Sequence, residues 1–351
     1  MDIEFVKASK LKNKPQSGER LEFGKVFTDY IFTMKYTPDE GWNSAKIEPF
    51  SQLSLSPVSA VIHNAQSVYE GLKAFKNENG EILLYNPIEN LQKLNRSADR
   101  LCMPRIDIDE TLNGIKELLK ADEEWMPAEE GKAMYIRVTM IGTDENLGEN
   151  VSLCYLLYVV LSPANAYYYK KDEPMKVVVE ENYSHFLGGL GAIKGGASSG
   201  EILKAKEGAT KKGYDDVMWL DINRKCIEGV GQINVFFVEK DKIYTPELKG
   251  SVLVSSMRDD VIELLTAKNY DVKERNVTIK EVIKKLKKGV ITEIFVAGAG
   301  VVKPVGTLGT GNKNYVVGDG KIGDVTKMIY DYITGVQFGR LPDSYHWTMK
   351  I

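Results

Sequence analysis

Two strongly apolar runs, Ala133 to Met140 and Leu153 to Leu161, lead directly into a polar, tyrosine-rich segment bounded by prolines, Ser162-Pro163 through Glu173-Pro174. Apolar runs of this length read as strands, and the proline-bounded stretch behind them reads as a linker between domains. The pattern divides the 351 residues into an N-terminal domain over 1–162, a linker over 163–174 and a C-terminal domain over 175–351. With 43% hydrophobic residues, each part is long enough to bury a core of its own.

Helix and strand signals alternate on both sides of that segment, which places the chain in the α/β (α+β) class. Val26 to Met34 and Val58 to His63 read as strands, and Leu72 to Phe75 and Ile82 to Tyr85 flank the turn dipeptide Asn79-Gly80. Asn86-Pro87-Ile88-Glu89 reads as a capped helix start whose apolar face is Leu91, Leu94, Ala98 and Leu101. A second helix runs from about Glu110 to Glu124. Beyond the linker, strands are expected at Met175 to Val179, Val217 to Asp221, Val235 to Val238 and Glu293 to Ala297. Helices are expected near Glu201 to Lys212, from a Ser256 cap to Asn269, after a Thr278/Glu281 capping box, and over Val325 to Thr334. The glycine-rich run Gly306 to Gly311 is followed by no capped helix and reads as a surface loop.

A formal net charge of −3 argues against nucleic acid and anionic membranes as partners. No apolar run approaches the roughly 20 residues of a membrane span. Met1-Asp2-Ile3-Glu4 lacks the basic and apolar regions of a signal peptide. Cys102, Cys154 and Cys226 are far apart and odd in number, which fits a reducing cytoplasm and three buried thiols. Three scattered histidines do not make a metal site.

The candidate chemistry sits at Lys194, inside Gly188-Gly189-Leu190-Gly191-Ala192-Ile193-Lys194-Gly195-Gly196. Glycines on both sides let the backbone approach a ligand closely, and a lysine held as a free amine suits Schiff-base chemistry with a carbonyl. Four further elements accompany it: Phe23 to Tyr30, Ser67-Val68-Tyr69-Glu70-Gly71-Leu72-Lys73-Ala74-Phe75, Arg96 to Pro104, and Tyr135-Ile136-Arg137. With Gly323 to Thr326 and Gln337 to Arg340 near the C-terminus, these motifs resemble the branched-chain aminotransferases, fold-type IV enzymes that use pyridoxal phosphate (PLP). The resemblance implies a small α/β domain followed by a larger pseudo-barrel domain, a homodimer, and PLP at the domain boundary bonded to Lys194. It also implies a substrate side made by Phe23, Asn64, Tyr135, Arg137 and Gly300. On the residues alone, Tyr135 and Arg137 read either as an anion clamp or as a strand-edge pair facing solvent.

Several positions depart from the family pattern. The family's phosphate arginines fall on Lys93 and His185, and the tyrosine that meets the ring oxygen falls on Ser199. The glutamate that would keep the pyridine nitrogen protonated is absent from Gly229, and Glu228 lies one residue away, on the opposite face of a regular strand. Ser256 and Met257 stand in the phosphate-binding helix start, and Ala299 replaces a threonine. Asn64 replaces a tyrosine, and Glu149 brings a charge into the loop that reaches across the family's dimer. The expectation drawn from these changes is a repurposed enzyme acting on a small anionic metabolite, with PLP absent or weakly bound. Two alternatives stand beside it: a genuine PLP-dependent branched-chain amino acid aminotransferase with 2-oxoglutarate as acceptor, and a non-catalytic homologue that binds a metabolite or a partner.

Overall fold

The computed structural model of the chain describes residues 1–16, 18–129, 131–165, 173–183, 190–240, 242–249 and 251–351, with Glu201 described by its backbone alone. The chain forms two compact units. The first comprises Met1–Tyr167, Lys194–Ala197 and Val336–Ile351; the second comprises Tyr168–Ile193 and Ser198–Gly335.

The first unit contains β1 (Glu4–Phe5), β2 (Tyr30–Thr37), β3 (Gly41–Pro49), α1 (Ala60–His63), β4 (Ser67–Lys76), β5 (Ile82–Tyr85), α2 (Pro87–Arg100), α3 (Ile108–Ala121), β6 (Lys132–Gly142) and β7 (Tyr155–Asn165). Among the described residues they build one sheet in the order β1-β3-β2-β7-β6-β4-β5, and β17 (Thr348–Lys350) joins it beside β5. Alternate residues of the inner strands enter the core: Val68, Leu72 and Ala74 on β4, with Glu70 the charged exception in that series, and Met134, Ile136, Val138 and Met140 on β6. These side chains form one core with Leu91, Leu94 and Ala98 of α2 and Ile115, Leu118 and Leu119 of α3. Fully burying one such side chain stabilises by about 1.5–3 kcal/mol.

The second unit contains β8 (Met175–Val179), α4 (Gly196–Glu201), α5 (Leu203–Lys211), β9 (Asp216–Leu220), β10 (Ile227–Val230), β11 (Asn234–Glu239), β12 (Lys242–Pro246), α6 (Ser256–Ala267), β13 (Asp271–Arg275), α7 (Ile279–Lys287), β14 (Glu293–Gly298), β15 (Val301–Thr310), β16 (Lys313–Val316) and α8 (Asp324–Gln337), the first two residues of α4 and the last two of α8 belonging to the first unit. Its sheet runs β10-β9-β8-β15-β14-β11-β12-β13, with β16 paired to β15. Glu293 fastens α8: its carboxylate accepts from the backbone N–H groups of Val325 and Thr326 at 3.0 and 2.8 Å, donors that a helix start leaves unpaired.

Several local expectations are corrected. Val58 to His63 is not a strand: it ends in α1, closed by the N–H of Asn64 on the carbonyl of Ala60 at 2.8 Å. Its apolar run is too short for periodicity to separate helix from strand. The opening strand begins at Tyr30, because residues 23–25 turn. Asn86 precedes α2 but does not cap it: its backbone is left-handed, with φ 46°, and its N–H donates to the carbonyl of Trp347. The cap position of α6 is Ser255 rather than Ser256. The strand expected to stop at Leu161 continues through Pro163 to Asn165, with Pro163 opposite Met134. Gly306 to Thr310 lies within β15, where Gly309 passes against the Tyr214 ring and Gly306 against Pro174, contacts that leave no room for a Cβ. The three cysteines are free and none is buried as expected: Cys102 is exposed in the turn after α2, with φ 54°, and Cys154 and Cys226 are half-buried.

Candidate active site

β5 is short and reaches only Lys73–Lys76 of β4, so the N-terminal half of β4 has an open edge on that side. Lys194 and Gly195 fill it. The N–H of Tyr69 donates to the carbonyl of Lys194 at 3.0 Å, and Val68 and Gly195 form an antiparallel bridge. The N–H of Lys194 donates to Ser97 Oγ on α2 at 3.3 Å. Ser67 Oγ occupies the space that a Cβ at Gly196 would need, so glycine at 196 is a condition of this docking.

The Lys194 amine donates to Oε1 of Glu70, and the Lys93 amine of α2 stands 3.6 Å from the other oxygen of the same carboxylate. The N–H of Gly71 also donates to Glu70, at 2.9 Å. Glu70 is 2% exposed and lies between Val68 and Leu72 in the alternation of β4, a position otherwise given to the core. Burial pushes its pKa up, but Lys194 and Lys93 outweigh that, and the carboxyl is held below its ordinary range. Burial lowers the Lys194 amine, yet its ion pair with Glu70 carries it above the usual lysine value. Lys93 receives less of the carboxylate; burial, helped by repulsion from Lys194, brings it down to about 8.

On strand β6, interior to the sheet, the Tyr135 ring lies over Gly71 and 4.7 Å from the Phe23 ring. The Arg137 guanidinium stacks over Tyr69 at 4.3 Å and lies 5.3 Å from Tyr135. Burial pushes the Tyr135 hydroxyl up, so it remains neutral beside Arg137. Phe23, Tyr135 and Arg137 are therefore brought together, and Lys93 and Lys194 meet through Glu70. Asn64 is exposed and donates to the carbonyl of Gly148 at 3.0 Å.

Lys73, opposite Tyr135 in register, is 6% exposed, and burial drives its amine down to about 7. The sign follows directly. A lysine whose folded value is lowered costs stability increasingly as pH falls from about 10.5 to about 7. Lys73→Met is therefore expected to raise the melting temperature, by more at pH 6 than at pH 10. A loss of stability at pH 6 in thermal scans would show instead that the charged amine has a partner.

In the second unit, Ile227 pairs with Leu220 and Gly229 with Trp219, so a register shift falls at Glu228. Such a bulge releases a side chain from strict alternation and re-aims it; the Glu228 carboxylate accepts from Ser251 Oγ. Gly229 itself has the carbonyl of Ile233 at 2.8 Å from where a Cβ would stand, so no glutamate fits there without a backbone shift. Ser199 lies in α4. Ser256 and Met257 open α6, with Met257 buried in the core. Ala299 and Gly300, at φ 51° and 73°, form the two-residue hairpin between β14 and β15. His185 lies outside the described residues. Among those described, no group of three acidic, histidine or cysteine residues is placed to hold a metal ion, and no helix is long and apolar enough to cross a membrane.

Sequence reasoning missed Glu70 as a site residue. The signal for Glu70 was available: Val68, Glu70, Leu72 and Ala74 occupy one face of a strand, and one of the four is charged.

The residues present suit PLP in one respect that can be read directly: the buried Lys93 amine and the half-buried Lys194 amine share one carboxylate, an excess of positive charge that an anionic, phosphorylated aldehyde would offset. Lys194 supplies the amine that an aldehyde requires.

Residues 67–305 match the family model for amino-transferase class IV. The "Probable branched-chain-amino-acid aminotransferase" of Staphylococcus aureus (strain N315) is 41% identical over 97% of this chain and 96% of its own length. The "Branched-chain-amino-acid aminotransferase 2" of Bacillus subtilis (strain 168) is 40% identical over 99% of this chain and 96% of its own. The solved branched-chain amino acid aminotransferase from Escherichia coli has the same fold, with a TM-score of 0.71 at 21% identity over 92% of this chain and 98% of that one. These relatives overturn the expectation of a repurposed enzyme working without PLP on another metabolite. The lysine, its buried carboxylate and the sheet that presents them are all in place. The chain belongs to the class IV aminotransferases, in the branched-chain aminotransferase family.

Proposed function

We propose that the protein is a PLP-dependent aminotransferase that moves the amino group of branched-chain amino acids to 2-oxoglutarate. The observation that carries this reading is the Lys194 amine fixed beside buried Glu70, in a chain about 40% identical to proteins named for that activity. When bound, PLP supplies an electron sink that acidifies the hydrogen on the amino acid's Cα. Lys194 Nζ takes that proton and returns it. Arg137, held by Tyr69 and Tyr135, binds the substrate carboxylate. Lys93 would balance the charge of the phosphate. Purified protein supplied with PLP is expected to form glutamate from 2-oxoglutarate with leucine, isoleucine or valine as donor. Glutamate appearing no faster than in a protein-free control with all three donors would sink the reading.

The active form is proposed to be a homodimer in a cytoplasmic setting. Supporting the dimer, Ile62, Leu147, Val151 and Leu153 are 48–65% exposed beside the Asn64–Gly148 hydrogen bond, an apolar group that a second copy would cover. Light scattering at micromolar concentration is expected to give twice the chain mass; a monomer rejects it.

A further inference from the structure

We propose that Glu70 is the positioning residue of Lys194, fixing both the place and the charge of its amine. The argument begins with cost. Burying a carboxylate on the apolar side of β4 is strongly unfavourable unless it is paired, and a valine or leucine there would serve the core better. Its neighbours on that face, Val68, Leu72 and Ala74, are members of that core. Glu70 is instead 2% exposed, and each of its oxygens meets a different amine. Those amines come from distant parts of the chain: Lys93 from α2, and Lys194 from the segment that docks on the free edge of β4.

The docking makes the arrangement specific. Tyr69, next to Glu70, holds the Lys194 carbonyl through its own N–H, while Ser97 holds the Lys194 N–H. The backbone of Lys194 is thus fixed on both sides, and Glu70 is the group that fixes the end of its side chain. Lys93 competes for the same carboxylate. An arginine there would stay charged at any working pH, whereas a lysine amine lowered by burial sheds its proton near pH 8 and leaves Glu70 to Lys194.

The inference rests on Lys194 being the working amine of the proposed aminotransferase, and its test does not depend on turnover. The full-length chain, dialysed free of carbonyl compounds, is treated with formaldehyde and cyanoborohydride across pH 6–11, and labelling of Lys194 is read by peptide mass spectrometry. Only unprotonated amine reacts, so the profile follows the charge on Lys194. Glu70→Gln removes the carboxylate and leaves burial and Lys93, both of which disfavour the ammonium. The half-labelling pH is expected to fall by at least about one unit, or about tenfold faster labelling at pH 8. Glu70→Asp is expected to lie between the two. A folded Glu70→Gln protein whose Lys194 profile matches the parent overturns the proposal. Should that variant fail to fold, Lys93→Met tests the same coupling in the other direction: removing the rival cation shifts the profile upward, and no shift overturns it. A shifted profile in a protein that transaminates none of the three amino acids would leave this inference standing and remove the proposed function; an unshifted profile in an active enzyme would do the reverse.

Discussion

Lys194→Arg is expected to abolish leucine transamination while leaving the fold intact. Arginine keeps the positive charge beside Glu70, so the buried carboxylate remains paired and the edge of β4 remains occupied. It cannot be deprotonated at working pH, so it neither attacks a carbonyl nor takes a proton from carbon. General-base contributions of this kind are worth about 10²–10⁴-fold, and the loss should reach at least that range in kcat. Lys194→Ala should be equally inactive but less stable, because only Lys93 would then face the carboxylate. The comparison separates charge from chemistry. Activity of Lys194→Arg within tenfold of the parent, in protein free of parental contamination, would show that the reacting amine lies elsewhere.

How far the sequence could be read depended on how local each determinant is. β6 and β8 were legible because a run of apolar residues depends only on neighbours, and α7 was legible from a cap whose partner lies three residues on: Thr278 accepts from the N–H of Glu281. Asn86 satisfied the same rule on paper. Its backbone is instead drawn into the left-handed region and tied to Trp347, a partner more than 250 residues away that no local rule can supply. The glycines of β15 looked like a loop because their purpose is the close approach of Tyr214 and Pro174. Lys194 was found from its glycine setting, but its carboxylate lies 124 positions earlier in the chain.

The inference of a lost cofactor shows the same limit. Position-by-position comparison counts a missing glutamate at 229, yet the register shift at Glu228 depends on pairing with β9 and cannot be seen in the residues themselves. A difference of one place in sequence is a change of face only while the strand is regular. Counting altered donors also treats them as independent, although groups around one ligand are coupled.

The largest expected loss of stability lies in the core of the first unit, at Phe32 and Gly114. Phe32 of β2 is fully buried, and its ring fills the space where a Cβ on Gly114 of α3 would stand. The glycine lies inside a helix, where it costs about 1 kcal/mol relative to alanine, so its presence there reflects the ring that it admits. Phe32→Ala is expected to destabilise by about 3–5 kcal/mol in denaturant unfolding, since the sheet cannot collapse onto a helix lying a ring's thickness away. Gly114→Ala alone should also destabilise, because the overlap with the ring outweighs the gain in helix propensity. In the Phe32→Ala background the same change should become neutral or stabilising, for the ring is gone and the propensity gain remains. The pair must therefore fail additivity, with a coupling of about 1–3 kcal/mol. If the two costs simply add, Phe32 does not rest on Gly114, and the packing of α3 against β2 must be held by other contacts.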